Sequence, residues 1–220
     1  MPLTPAALEE SLWAIRAEAG DLSANSFYRR FFDGGVSREE LRVWAKEFYP
    51  RDFACLLSAL HSNCPHLDAR TEIAENIYEE HGRFGPGKDH PALWRKFAAA
   101  LGVGEAEIEA YEWRPAARAF YARLREICRE RPFVEGLAAV GIGIEAGVPA
   151  LFSAMLPVLR QQFGLPEDAL EFFRIHVQAD EDHGRRAIEL IRKYATTDEQ
   201  QAGVRRMLRE VVELTTGLGG

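Results

Sequence analysis

The chain has 220 residues and a mass of 24.8 kDa, is 47% hydrophobic, and sets 34 Asp+Glu against 27 Lys+Arg for a net charge of −7. That composition supplies a core and excludes intrinsic disorder, and the length suits one domain over residues 1–220. An acidic balance without a Lys/Arg-rich run argues against nucleic acid or an anionic membrane as the main partner, because both require a positive footprint, and leaves a small molecule as the expected one. Three cysteines, Cys55, Cys64 and Cys128, fit neither a CxxC metal site nor a redox pair, and the first residues lack the basic and apolar regions of a secretory signal. A reducing, cytoplasmic setting is therefore expected.

Helical signals run from end to end, and no segment shows the apolar/polar alternation of a half-buried strand, so the chain reads as all-α. Gly34-Gly35 ends a first element, and Ser37 with Glu40 forms a capping box that opens a helix through Leu41, Trp44 and Phe48, continuing past Pro50 to about His61. A helix over about 67–80 precedes the glycine-rich HGRFGPGKD, and His90-Pro91 opens the next, which stops at Gly102 to Gly104. A helix over about 105–129, an apolar segment from Pro132 and a long helix over about 166–194 follow. Val204, Met207, Leu208, Val211 and Val212 then define a last amphipathic helix suited to a homodimer contact, with Gly217 to Gly220 expected to fray. The economical architecture is one compact bundle of about seven helices.

Between Gly136 and Leu159 the only charge is Glu145. The stretch is long enough to cross a bilayer, but Gly136, Gly141, Gly143, Gly147, Pro149 and Pro157 and the lack of flanking basic clusters argue against that reading. An ionised carboxylate in an apolar helix costs several kcal/mol unless it is paired or bound to a cation, so Glu145 calls for a partner on another helix. One candidate is His176-x3-Asp180-x2-His183, whose spacing puts three side chains on one helix face, and whose imidazole and carboxylate mixture suits iron, manganese or zinc. Acids and arginines crowd the same turns, so taken alone the triplet reads equally as a solvated face. Glu79, Glu80 and His81 at one helix end and His90 at the next helix start form a further cluster, with any of the acids able to face the site. Three carboxylates and three histidines from facing helices are the inventory of a two-metal site in a bundle.

The order of these residues, together with SFYRRFFDGGVSREELRVWAKEFYPR, ENIYEEHGRFGPGKDHPALWRKFAAALGV and HVQADEDHGRRA, resembles the haem-oxygenase-like di-iron oxidase family. The family includes fatty-acid decarboxylating and N-oxygenating enzymes and a death-domain-associating para-aminobenzoate synthase, and shares its fold with pyrroloquinoline-quinone synthase and thiaminase-like proteins. The resemblance covers about residues 23–194 and implies a seven-helix bundle. It implies two Fe(II) ions, with manganese as the alternative, held by Glu80, His90, Glu145, His176, Asp180 and His183. Of these, Glu80, Glu145 and Asp180 would take part in O2-dependent oxidation of a small amino-acid-derived or fatty-acid-like substrate. A metal-independent oxidase or thiaminase-like enzyme on the same fold is the rival reading, and a non-catalytic helical protein with structural salt bridges is the third. The para-aminobenzoate synthases use their own tyrosine and a lysine near the second glutamate; here Glu145 to Arg160 contains no lysine and Met155 stands near its place. Tyr28 and Tyr49 are candidates to line the pocket, with Phe172, Phe173, Ile142 and Val148 as its apolar lining.

Overall fold

A computed structural model describes residues 1–18, 25–51 and 53–218. Among them are helices α1 (Pro5–Glu18), α2 (Ser26–Phe32), α3 (Arg38–Glu47), α4 (Phe53–Asn63), α5 (Leu67–Glu80), α6 (His90–Ala100), α7 (Glu105–Glu109), α8 (Pro115–Glu130), α9 (Phe133–Leu137), α10 (Val148–Gln161), α11 (Glu171–Tyr194) and α12 (Asp198–Gly217), and no strand. α9 and α10 are parts of one 29-residue helix, Phe133–Gln161, which makes eleven helices instead of about seven. The difference has a local cause. α3 ends before Pro50, so the span expected as one helix to His61 is two, and Pro115 opens α8 after a break that leaves α7 separate.

Caps fix several boundaries. The Ser37–Glu40 capping box is present, Thr197 and Gln200 form a second one at the start of α12, and Asp89, not His90, caps α6 by accepting from the Ala92 N–H. α12 extends to Gly217, where fraying was expected to begin, and Leu218 is buried beyond it; Gly219 and Gly220 lie outside the described residues. The loop between α5 and α6 closes tightly. Gly82 has φ +60°, and a Cβ there would fall 2.2 Å from the Lys88 carbonyl carbon, so only glycine fits.

Apolar side chains divide into two cores. Residues from α1, α4, α5, α8, α9 and α12 form one, and a more aromatic set from α2, α3, α6 and α10 forms the other. Two long helices belong to both. α11 places Phe172 and Phe173 at its start in the aromatic core and Ala187, Ile188 and Ile191 in the first, while the helix Phe133–Gln161 does the reverse. That helix is long and apolar enough to cross a membrane, but half of its most apolar window is buried and it packs on α11 and α12. Its middle is irregular, passing through a π-helical stretch, Ala138–Ile144, and a single 3₁₀ turn, Glu145–Gly147. Glu145 therefore sits where the helix changes winding, at the seam between the cores.

Candidate metal centre

The six side chains implied by the resemblance meet at this seam, and each is 3–8% exposed. α11 supplies His176, Asp180 and His183, the end of α5 supplies Glu80, the start of α6 supplies His90, and the irregular turn supplies Glu145. They separate into two triads, Glu80–His90–His176 and Glu145–Asp180–His183, in each of which one potential ligand atom per residue lies within 4.8 Å of the others. One triad draws on three helices and the other on two, so neither forms without tertiary packing.

Hydrogen bonds orient the rings. The Phe172 carbonyl is 2.7 Å from His176 Nδ1 and can only accept, which puts the proton on Nδ1 and leaves Nε2 as a lone-pair donor. His183 Nδ1 stands 3.1 Å from Asp180 Oδ1 and 3.4 Å from Glu145 Oε1, while its Nε2 is 2.9 Å from Glu79 Oε2. Glu79, half-buried and paired also with Arg83, thus holds the outer nitrogen of His183 and does not replace Glu80, and His81 is exposed, its Nδ1 near the Ile77 carbonyl. Asn76 Nδ2 donates to Glu145 Oε1 at 2.8 Å.

The electrostatics among these side chains are strained. Burial, reinforced by the Glu145 charge, pushes the Glu80 carboxyl up to about 8, and burial pushes Asp180 above the usual carboxylate range. Burial also holds His176 down to about 3 and His90 to about 4. For His183 burial opposes the imidazolium, but hydrogen bonds to Asp180 and Glu145 outweigh it and hold the pKa well above the ordinary histidine value. Protons on Glu80 and His183 thus balance charge that cations would otherwise balance.

The donor set fits a metal pair on a separate ground. Glu80 Oε1 and His90 Nδ1 are 2.9 Å apart, yet that buried nitrogen has no aligned hydrogen-bond partner. A buried imidazole nitrogen left beside a carboxylate without a hydrogen bond is a polar atom that a cation held by both would satisfy.

Comparison with known proteins gives the family. Residues 42–216 match the family described as an iron-containing redox enzyme. The chain belongs to that family. It is 35% identical over 196 residues to 4-aminobenzoate synthase of Nitrosomonas europaea, covering 83% of this chain and 78% of the relative. It is also 27% identical over 217 residues to pyrroloquinoline-quinone synthase of Granulibacter bethesdensis, covering 94% and 81%. A solved domain with a heme oxygenase-like fold from Shewanella denitrificans superposes with a TM-score of 0.79 at 17% identity, over 99% of this chain and 91% of that one. The fold of this family member is therefore haem-oxygenase-like.

Beside the centre lies an apolar cavity of about 180 Å³. Phe172 and Phe152 form its near wall and contact the His176 ring at centroid distances of 4.1 and 5.9 Å. Tyr28 lines it as expected, and burial pushes that hydroxyl up to about 12, whereas Tyr49 lies elsewhere, under the Arg51 and Arg95 guanidinium groups. Of the expected apolar lining, Phe172 and Val148 face the cavity, and Phe173 and Ile142 are packed in the two cores. Met155 is fully buried in the aromatic core.

Sequence reasoning did not single out Asn76 or the Trp44 and Trp94 walls of the cavity. Asn76 could have been found, because it precedes Glu80 by four residues and so shares its helix face.

Proposed function

We propose that the protein is an O2-dependent oxidoreductase that holds two iron ions, one with Glu80, His90 and His176 and the other with Glu145, Asp180 and His183, and oxidises a small organic molecule in the adjoining cavity. The observation that carries this reading is the pairing of two buried His/carboxylate triads with an apolar cavity two of whose wall residues, Phe172 and Phe152, pack on the His176 ring. Bound there, two ferrous ions would supply electrons for O2 and Lewis acidity, and the three carboxylates would offset part of their charge. The chain itself fixes the imidazole tautomers through the Phe172 carbonyl and Glu79, steadies Glu145 through Asn76, and excludes water with aromatic walls.

Kinship with the Nitrosomonas enzyme makes 4-aminobenzoate formation the first activity to assay. No lysine lines the cavity among the described residues, and Met155 lies away from it, so such a reaction would draw its nitrogen from an added amine donor and not from the chain. The test is metal content by mass spectrometry after anaerobic Fe(II) loading, followed by O2 uptake. Close to two irons per chain and uptake that chelation abolishes are expected. Undiminished O2-dependent turnover after chelation would overturn the reading in favour of a metal-independent oxidase.

A further inference from the structure

Among its described lining residues the apolar cavity has none of the six triad side chains. A separate groove of about 450 Å³, formed by the end of α5, the loop after it, the start of α6 and α11, is lined by His90 and His183, one residue from each triad. Glu79, which holds the outer nitrogen of His183, lines it too. Charge is graded along this groove. In the Glu79–Arg83 pair, at 2.7 Å, the carboxylate side chain is 18% exposed and the guanidinium 66%; in the Glu171–Lys88 pair, at 2.6 Å, the values are 24% and 54%. The acids are the inner members and the cations the outer ones. Exposed pairs of this kind are weak in water, so a divalent ion can displace the outer cations and exchange its bound water for the carboxylates as it moves inward. Arg186, a further cation of the wall, is held by Glu72 and Glu75 of α5. A second groove, of about 490 Å³ between α1, α10 and α11, reaches Asp180 alone of the six.

We propose that the groove between α5, α6 and α11 is where hydrated divalent cations enter the centre, with Glu171 and Glu79 as successive carboxylates on the way to His183 and His90. Metal and organic substrate then reach the centre by different openings, one charged and one apolar. The proposal rests on the reading of the six residues as a metal centre.

Uptake of Co(II) by metal-free full-length protein, followed by visible absorption in stopped flow, and its release to excess EDTA test this. Ala179 lines the groove on α11, one turn from both His176 and His183, and Ala150 lines the second groove. Ala179→Trp is expected to slow uptake and release together by about tenfold or more at unchanged affinity and metal content, because an obstructed route alters the rates in both directions equally. Ala150→Trp leaves both rates as they are. Glu171→Gln adds no bulk; it slows uptake severalfold and flattens the dependence of uptake on ionic strength, which a merely structural role would not do. Should Ala179→Trp lower the metal content, Glu171→Gln decides. Unchanged rates in Ala179→Trp at full metal content, unchanged uptake in Glu171→Gln, or slowing by Ala150→Trp in place of Ala179→Trp, overturns the proposal. A wild type that retains no Co(II) at equilibrium would overturn the reading of the centre itself, and the proposal with it.

Discussion

His183 faces Asp180 and Glu145 through one ring nitrogen and Glu79 through the other, so its two sides have different tasks. Nδ1 belongs to the triad, and Glu79 sets which nitrogen carries the proton when that side is deprotonated. Glu79→Gln keeps the shape and removes the charge. It should weaken metal binding by about 10- to 100-fold while stoichiometry at saturating metal stays unchanged, the usual cost of losing such an outer partner. Glu80→Gln, by contrast, removes a triad oxygen and should lower the number of irons retained per chain. Competition with a chelator separates the two, and equal stoichiometry loss in both variants would make Glu79 a ligand. Four of the six triad residues stand out chemically in the sequence, Glu145 as an acid in an apolar run and His176, Asp180 and His183 as polar groups at helical spacing, whereas the choice of Glu80 and His90 came with the family resemblance. Glu79 could not be told from Glu80 that way. They are adjacent on one helix, and which of them faces the triad depends on how α5 is rotated against α11, a tertiary fact.

At the scale of elements, the centre depends on close approach between α11 and the irregular helix before it. A Cβ at Gly141 would lie 2.4 Å from the Ala187 Cβ, and one at Gly184 would lie 2.9 Å from the Ala146 Cβ. Helix propensity alone favours alanine over glycine by about 1 kcal/mol. Here the obstructing atoms are short and fixed to helical backbone, so neither can rotate away, and overpacking of this kind costs about 1–3 kcal/mol. Gly141→Ala is therefore expected to lower the midpoint of thermal unfolding and to reduce iron retention together, since the shift moves Glu145 relative to Asp180 and His183. A stabilised variant with full iron content would show that the two helices have room to part. The glycines of this stretch were visible in the sequence as departures from a membrane span, but their purpose was not. Period-based reading also fused α3 with α4 and α7 with α8, because apolar spacing continues across Pro50 and Pro115 while the backbone does not.

The whole molecule couples folding to the protons held at the seam. Folded, Glu80 keeps its proton up to about 8, whereas an unfolded glutamate releases it near ~4.3. Between those values the unfolded chain binds fewer protons, so stability falls as pH rises through the window, and Asp180, also raised, acts in the same direction. His183, raised by its carboxylate partners, contributes stability that is complete below ~6.5 and is lost as pH climbs toward its folded value. His90 and His176, held down to about 4 and about 3, act oppositely: below ~6.5 the unfolded chain takes up protons they refuse, and stability falls as pH drops. The metal-free protein should therefore be most stable in mild acid and lose thermal stability between about pH 6.5 and 8.5. Metal binding releases the protons on Glu80, Asp180 and His183, so it tightens as pH rises over that interval. Differential scanning calorimetry of metal-free and Fe(II)-loaded protein under anaerobic conditions measures both effects. The gap between their unfolding midpoints should widen from pH 6.5 to 8.5, chiefly because the metal-free midpoint falls. A gap that does not change with pH would mean that protons and metal do not compete for the seam, and that the buried acids are paired in the unliganded protein by means other than the protons assigned to them.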